Sequence, residues 1–111
     1  MLWNIHAEPI DTKVDFSASG DNSLIAADSA GYNYIFNFSI VVAGATSITI
    51  KCGTREVGKW ALQANGTLSI SASDYLSGQP YFICRPGEAF IINNSAAVNV
   101  TGTLKYAVRT S

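Results

Sequence analysis

A single histidine, His6, is available to this chain of 111 residues. Any Ser-His-Asp or Cys-His nucleophile arrangement would have to use it. No nucleophile elbow stands near it, so His6 reads as structural or incidental. The acids are Glu8, Asp11, Asp15, Asp21, Asp28, Glu56, Asp74 and Glu88. Most fall where turns are expected, and Asp is favoured in turns for backbone reasons. A glycosidase pair would need two carboxylates held across a cleft, and nothing in the spacing suggests one. Asp11, Asp15 and Asp21 are close enough in sequence to gather around calcium, but solvated turn acids are the expectation. No phosphate-cradling glycine loop, dinucleotide fingerprint or EF-hand spacing occurs. The expectation is no catalytic residue, no metal and no cofactor.

Cys52 and Cys84 have neither CxxC nor zinc-site spacing. Each ends an apolar run, which predicts two buried free thiols. A bond between neighbouring strands is the alternative, and a cytoplasmic origin gives it no support. The aromatics Trp3, Trp60, Tyr75, Tyr81, Phe82 and Tyr106 are candidates for a sugar-stacking platform, although core packing is expected for most. Tyr75, in a polar stretch, is the exception.

The elements that must position these residues follow from a period of two. From Tyr32 to Val42 the residues Tyr32, Tyr34, Phe36, Phe38, Ile40 and Val42 are expected on one face. Ile48, Ile50 and Cys52 point inward from the next strand. Asn65-Gly66 predicts a two-residue hairpin turn with both φ positive. Val98, Val100, Gly102, Leu104, Tyr106 and Val108 alternate with Asn99, Thr101, Thr103, Lys105 and Ala107. Gly102 marks a bulge or a close backbone approach. The pattern predicts an all-β protein, an antiparallel sandwich of jelly-roll type with about eight strands. Residues 1–11 form an N-terminal arm, and residues 12–111 a single sandwich domain.

Composition narrows the function classes. Hydrophobic residues make up 48% and charged residues 14%, against about 25% charged in ordinary domains. Either much of the surface meets a partner, or the domain simply has few charges. A net charge of −1 gives nucleic acid no electrostatic footing. No apolar run approaches the length of a membrane helix. The N-terminus lacks a signal peptide's basic and apolar regions, so synthesis in a cytoplasm is expected.

An ordered series of short motifs extends across residues 31–108. Ala45 to Gly53 follows an A-T-x-I-T-x-K-x-G pattern, and Leu62 to Leu68 an L-x-A-x-G-x-L pattern. Pro80-Tyr81-Phe82, Gly87 to Asn93 and Val100 to Tyr106 complete the series. In that order these motifs resemble the small head decoration (cement) proteins of tailed bacteriophages. The resemblance implies a β-sandwich homotrimer on the exterior of a phage head, located on the virion after synthesis in the host cytoplasm. The implied partner is the major capsid protein, with no nucleic acid and no membrane. Leu2, Trp3 and Ile5 are then the candidate capsid-docking residues. Asn99, Thr101 and Thr103 are the candidate trimer interface, because interface cores are depleted in charge. The alternative is a carbohydrate- or receptor-binding sandwich of a phage tail or fibre.

Overall fold

Alternation of β-branched and hydroxyl residues suits strands buried on one side only, and strands are what the chain forms. In a computed structural model, which describes residues 10–71 and 81–109, they run Ile10–Phe16 (β1), Gly20–Ile25 (β2), Tyr32–Val42 (β3), Thr46–Cys52 (β4), Arg55–Leu62 (β5), Thr67–Ser71 (β6), Phe82–Cys84 (β7), Phe90–Asn94 (β8) and Val100–Arg109 (β9). One sheet has the order β1-β9-β3-β6, with β7 also paired to β3; the other is β2-β8-β4-β5. Every pairing is antiparallel. The interleaving of early and late strands in both sheets is that of two Greek keys wound into a jelly roll. The expected all-β sandwich is therefore present, with short β7 added to eight longer strands. β1 takes in Ile10 and Asp11, which the sequence assigned to the arm; residues 1–9 lie outside the described residues.

The sheets close over Val14, Ile35, Phe38, Ile40, Val42, Ile48, Ile50, Phe90, Ile92, Val100 and Leu104, all essentially inaccessible to solvent. Phe90 of one sheet meets Phe38 of the other edge to face, ring centroids 6.1 Å apart. Such a pair contributes about 1 kcal/mol beyond its burial.

Three expectations need correction. The long strand does not keep one face. Its pairing with β9 skips a residue between Ile35↔Tyr106 and Asn37↔Lys105. Phe36 is the extra residue, and a bulge of this kind turns the remaining strand over. Phe38, Ile40 and Val42 join the core, but on the other side of the bulge it is Ile35 that does so. Buried Asn33 shares Ile35's face, and Tyr32 and Tyr34 lie opposite.

Asn65-Gly66 makes no hairpin. β5 and β6 belong to different sheets, so the turn is a crossover. Only Asn65 has positive φ, at 63°. The turn docks on β3 instead: Asn65 N–H donates to the Val42 carbonyl at 2.8 Å, and Val42 N–H to the Gly66 carbonyl at 3.0 Å. These bonds hold the turn against the end of β3 and bring the chain from the four-stranded sheet into the five-stranded one, where β6 pairs with β3.

Cys52 and Cys84 are not free thiols. They form a disulfide, with Cα atoms 5.1 Å apart. It joins β4 of one sheet to β7 of the other, and both cysteines are fully buried. Cys52 and Cys84 lie on strands of different sheets, so alternation along either strand does not place β7 against β4.

Gly102 is a close approach, as expected. A Cβ placed there would collide with the Ser39 carbonyl oxygen and come within 2.8 Å of Ile40 Cα. Both atoms are backbone of the paired strand β3, so nothing flexible can yield. Gly102→Ala should lower the thermal midpoint by roughly 10 °C, from about 2 kcal/mol of overpacking, and Gly102→Val should prevent folding. Thermal melts followed by circular dichroism test both; a wild-type midpoint in either variant refutes the argument. The disulfide spans 32 positions, a loop worth roughly 3–4 kcal/mol by chain entropy. Reduction, or the Cys52→Ala/Cys84→Ala double variant, should therefore cost about 15 °C of midpoint.

Candidate functional site

The outward face of the five-stranded sheet is built by register. Residues directly opposite one another share a face, so the pairings give three rows across four strands. One row is Asp15, Thr101, Val41 and Thr67. The next is Lys13, Thr103, Ser39 and Ser69. The third is Asp11, Lys105, Asn37 and Ser71. Thr101 and Thr103 are exposed at the centre of this array. Asn99 is exposed too, but it precedes β9, where its carbonyl accepts the Ala43 N–H at 2.9 Å. Two of the three predicted interface residues thus sit together, with the third just off the strand.

The array divides by charge. Strand β1 carries Asp11, Lys13 and Asp15, where Lys13 and Asp15 lie 3.6 Å apart. Lys105 reaches Asp11 at 3.9 Å. Across the other two rows, the positions on β9, β3 and β6 are uncharged. Hydroxyls tie the strands together: in the middle row Ser39 Oγ and Ser69 Oγ are 3.3 Å apart, and in the third row Ser71 Oγ donates to Asn37 Oδ1 at 3.0 Å. Val41 is 39% exposed among them, an aliphatic surface that a partner could cover. Sequence reasoning found Thr101 and Thr103 but missed Ser39, Ser69, Thr67 and Ser71. Their signal was there, hydroxyls at period two opposite apolar residues, but it did not say that β6 lies beside β3.

Beyond the bulge the same face turns aromatic. Tyr32 and Tyr34 meet edge to face, as do Tyr34 and Phe36, each pair with centroids 6.5 Å apart. Ile83, opposite Tyr34, is 44% exposed, and nearby Tyr81 is 52% exposed. Trp60 and Phe82 instead pack against the core, as does Tyr106. Leu2, Trp3, Ile5, His6 and Tyr75 lie outside the described residues.

Most of the other charges are structural ties. Glu88 accepts from Arg55 through both carboxylate oxygens, at 2.8 and 3.0 Å, and from the Arg85 backbone N–H at 2.8 Å. The Arg55 hydrogen bonds hold its carboxyl down at about 2, against burial, with the Arg85 N–H helping. Gly53 N–H donates to the Ala89 carbonyl nearby, so this cluster closes the end that the disulfide staples. Asp21 accepts from Asn93 at 2.8 Å and from Lys51 at 2.9 Å. Hydrogen bonding from Asn93 first, then Lys51, lowers its carboxyl below the usual range. Asp21 therefore lies on the second sheet, away from Asp11 and Asp15, and the three do not gather around a cation. Among the described residues no three His, Cys, Asp or Glu side chains cluster as metal ligands.

No family model and no curated protein matches this chain. The chain is similar in structure to the cupin domain of Cnp3 from Schizosaccharomyces pombe, at 14% identity and a TM-score of 0.39. The match covers 99% of this chain and 58% of that one. At that TM-score the likeness carries no functional argument.

The Glu88 tie sets a pH signature. Its folded-state carboxyl titrates at about 2, below the ordinary 4.5. Its contribution is therefore complete above about 4.5 and is lost as the pH falls toward about 2. The thermal midpoint should decline across that interval, and Glu88→Gln should lower it near neutrality while flattening the decline. An equally steep acid limb in the variant would remove Glu88 from the account.

Proposed function

We propose that this protein is a structural coat component, a decoration protein that binds the exterior of a tailed-phage head and stabilises the shell by bridging capsomers. The observation that carries the reading is the pair of uncharged, hydroxyl-rich rows on β9, β3 and β6, set on a stapled jelly roll. A coat protein must be soluble before it docks and must lose its water afterwards. Hydroxyl groups suit both states, because their desolvation costs far less than that of charges.

On this reading the chain works as a homotrimer, with Thr101 and Thr103, flanked by Asn99, at the contact between copies. The major capsid protein is the partner, and Leu2, Trp3 and Ile5 supply the docking anchor. Binding only the assembled shell would stabilise it by mass action. No catalytic step belongs to this role. The disulfide supports the location, since virion surfaces are among the places where such bonds persist. The motif series from Ala45 to Tyr106 supports the family.

Exposed Tyr81 beside Ile83 favours a second reading, a carbohydrate-binding module of a tail or fibre. Aromatic surfaces of this kind can stack on sugar rings. A glycan array separates the two, since the decoration reading predicts no signal.

Light scattering of the purified protein should give a mass of three copies, reduced to smaller species by Thr101→Asp/Thr103→Asp. Incubation with undecorated phage heads should show saturable binding and raise their melting temperature. Trp3→Ala should weaken that binding and leave the oligomer intact. A monomer that ignores the heads rejects the proposal.

A further inference from the structure

Four strands end the two sheets: β1 and β6 in one, β2 and β5 in the other. An edge strand turns unpaired N–H and C=O groups outward, and folded proteins blunt it with charge, a bulge or proline. β1 carries Asp11, Lys13 and Asp15. β2 carries Asp21 and a register break between Ser23 and Ile25. β5 carries Arg55, Glu56 and Lys59, with a register break opposite Ile50 and Lys51. β6, Thr67-Leu68-Ser69-Ile70-Ser71, has none of these devices. Among the described residues nothing pairs with the side of β6 turned away from β3. β7 shares that side of β3, but it is three residues long and stapled through Cys84.

We propose that β6 is the docking edge for a second copy of this chain, the two β6 strands pairing antiparallel about a two-fold axis at Ser69. The side-chain pattern of β6 is its own mirror: hydroxyl, aliphatic, hydroxyl, aliphatic, hydroxyl. The axis sets Ser69 against Ser69, Leu68 against Ile70 and Thr67 against Ser71. Leu68 and Ile70 are the core-facing residues, so aliphatic meets aliphatic on the inner side and hydroxyl meets hydroxyl on the outer. No charge meets its like. The same operation on β1, about its central residue, would set Lys13 against Lys13 and Asp11 against Asp15, the like-charge opposition that destabilises strand pairs. A contact with two-fold symmetry uses one patch on both copies. Joined this way, the two five-stranded sheets become one, and their hydroxyl arrays become continuous.

This contact is separate from the three-fold proposed above, since its axis passes through neither Thr101 nor Thr103. Cross-linking tests its register. Ser69→Cys places two thiols on the axis, whereas Thr67→Cys alone faces Ser71 of the second copy. Under mild oxidation Ser69→Cys should give a linked pair several-fold faster than Thr67→Cys or Ser71→Cys alone, and mixing the last two should restore the fast reaction. The native cysteines are fully buried and bonded, so the new thiol is the reactive one. Equal rates for all three variants overturn the register and the proposal. Sedimentation of Ser69→Lys gives a second readout: loss of the even-numbered species at an unchanged melting temperature. Wild-type protein that is only monomer or only trimer at high concentration also overturns it. A mass of two copies, without a three-fold species, keeps it and rejects the trimer instead.

Discussion

One extra residue in β3 decides what this molecule shows to solvent. β3 lies inside its sheet, paired to β9 along one side and to β6 and β7 along the other. A strand with strict alternation would keep one face in the core throughout its length. The bulge at Phe36 breaks that rule. Ile35 and Phe38, three positions apart in sequence, both reach the core. The cost is a locally disrupted ladder. The return is an outward face in two parts, hydroxyl on the Asn37–Val41 side and aromatic on the Tyr32–Tyr34 side. Without the bulge, a register that buried Phe38, Ile40 and Val42 would also bury Tyr32 and Tyr34 and turn Ile35 out.

Both ends of the sandwich are closed by buried polar groups. At one end Asn94 is fully buried, accepting from Thr46 at 2.6 Å and donating to the Val98 carbonyl at 3.1 Å. At the other, Asn33 donates to the carbonyls of Ala26 and Glu88, at 3.3 and 3.5 Å. Two carbonyls on one side fix its amide orientation, because a flipped oxygen would face them both. Its own Oδ1 is the buried side-chain atom without a partner among the described residues. Asn33 is therefore the less fully bonded of the two buried amides, and it sits at the end where the disulfide and the Glu88–Arg55 pair lie. The disulfide ties the two sheets together where those amide bonds are long, and the ion pair fastens β5 to the segment that leads into β8.

The sheet grammar was legible where burial and alternation coincide. β3 and β4 match their expected limits, and the inward set Ile48, Ile50 and Cys52 is as the period predicts. Gly102 was legible because a glycine in a long alternating strand has few other reasons to be there. The misses have one cause in common: alternation is local, while pairing is not. A bulge is visible only once β9 supplies the register, and the Asn65-Gly66 turn looks the same whether it closes a hairpin or crosses between sheets. The disulfide required knowing that β7 lies across from β4. The hydroxyl array was half legible, because Thr101 and Thr103 could be read from one strand but their neighbours on β3 and β6 could not.

The distribution of charge links the fold to the proposed role. With 14% charged residues, the chain places Glu88 and Arg55 at a sealed end, and Asp21 and Lys51 on the second sheet. Acidic and basic residues on β1 guard its edge. Little charge is then left for the face of β9, β3 and β6. Were that face merely solvated, charge there would have cost little and improved solubility. Were it a permanent core, aliphatic residues would pack better. Hydroxyls spaced by the sheet itself, with Val41 exposed among them, suit a surface that is wet at one stage and covered at another. Recognition by such a surface depends on shape and hydrogen-bond register more than on attraction at a distance, so the rigidity of the stapled jelly roll belongs to the binding argument as much as to the folding one.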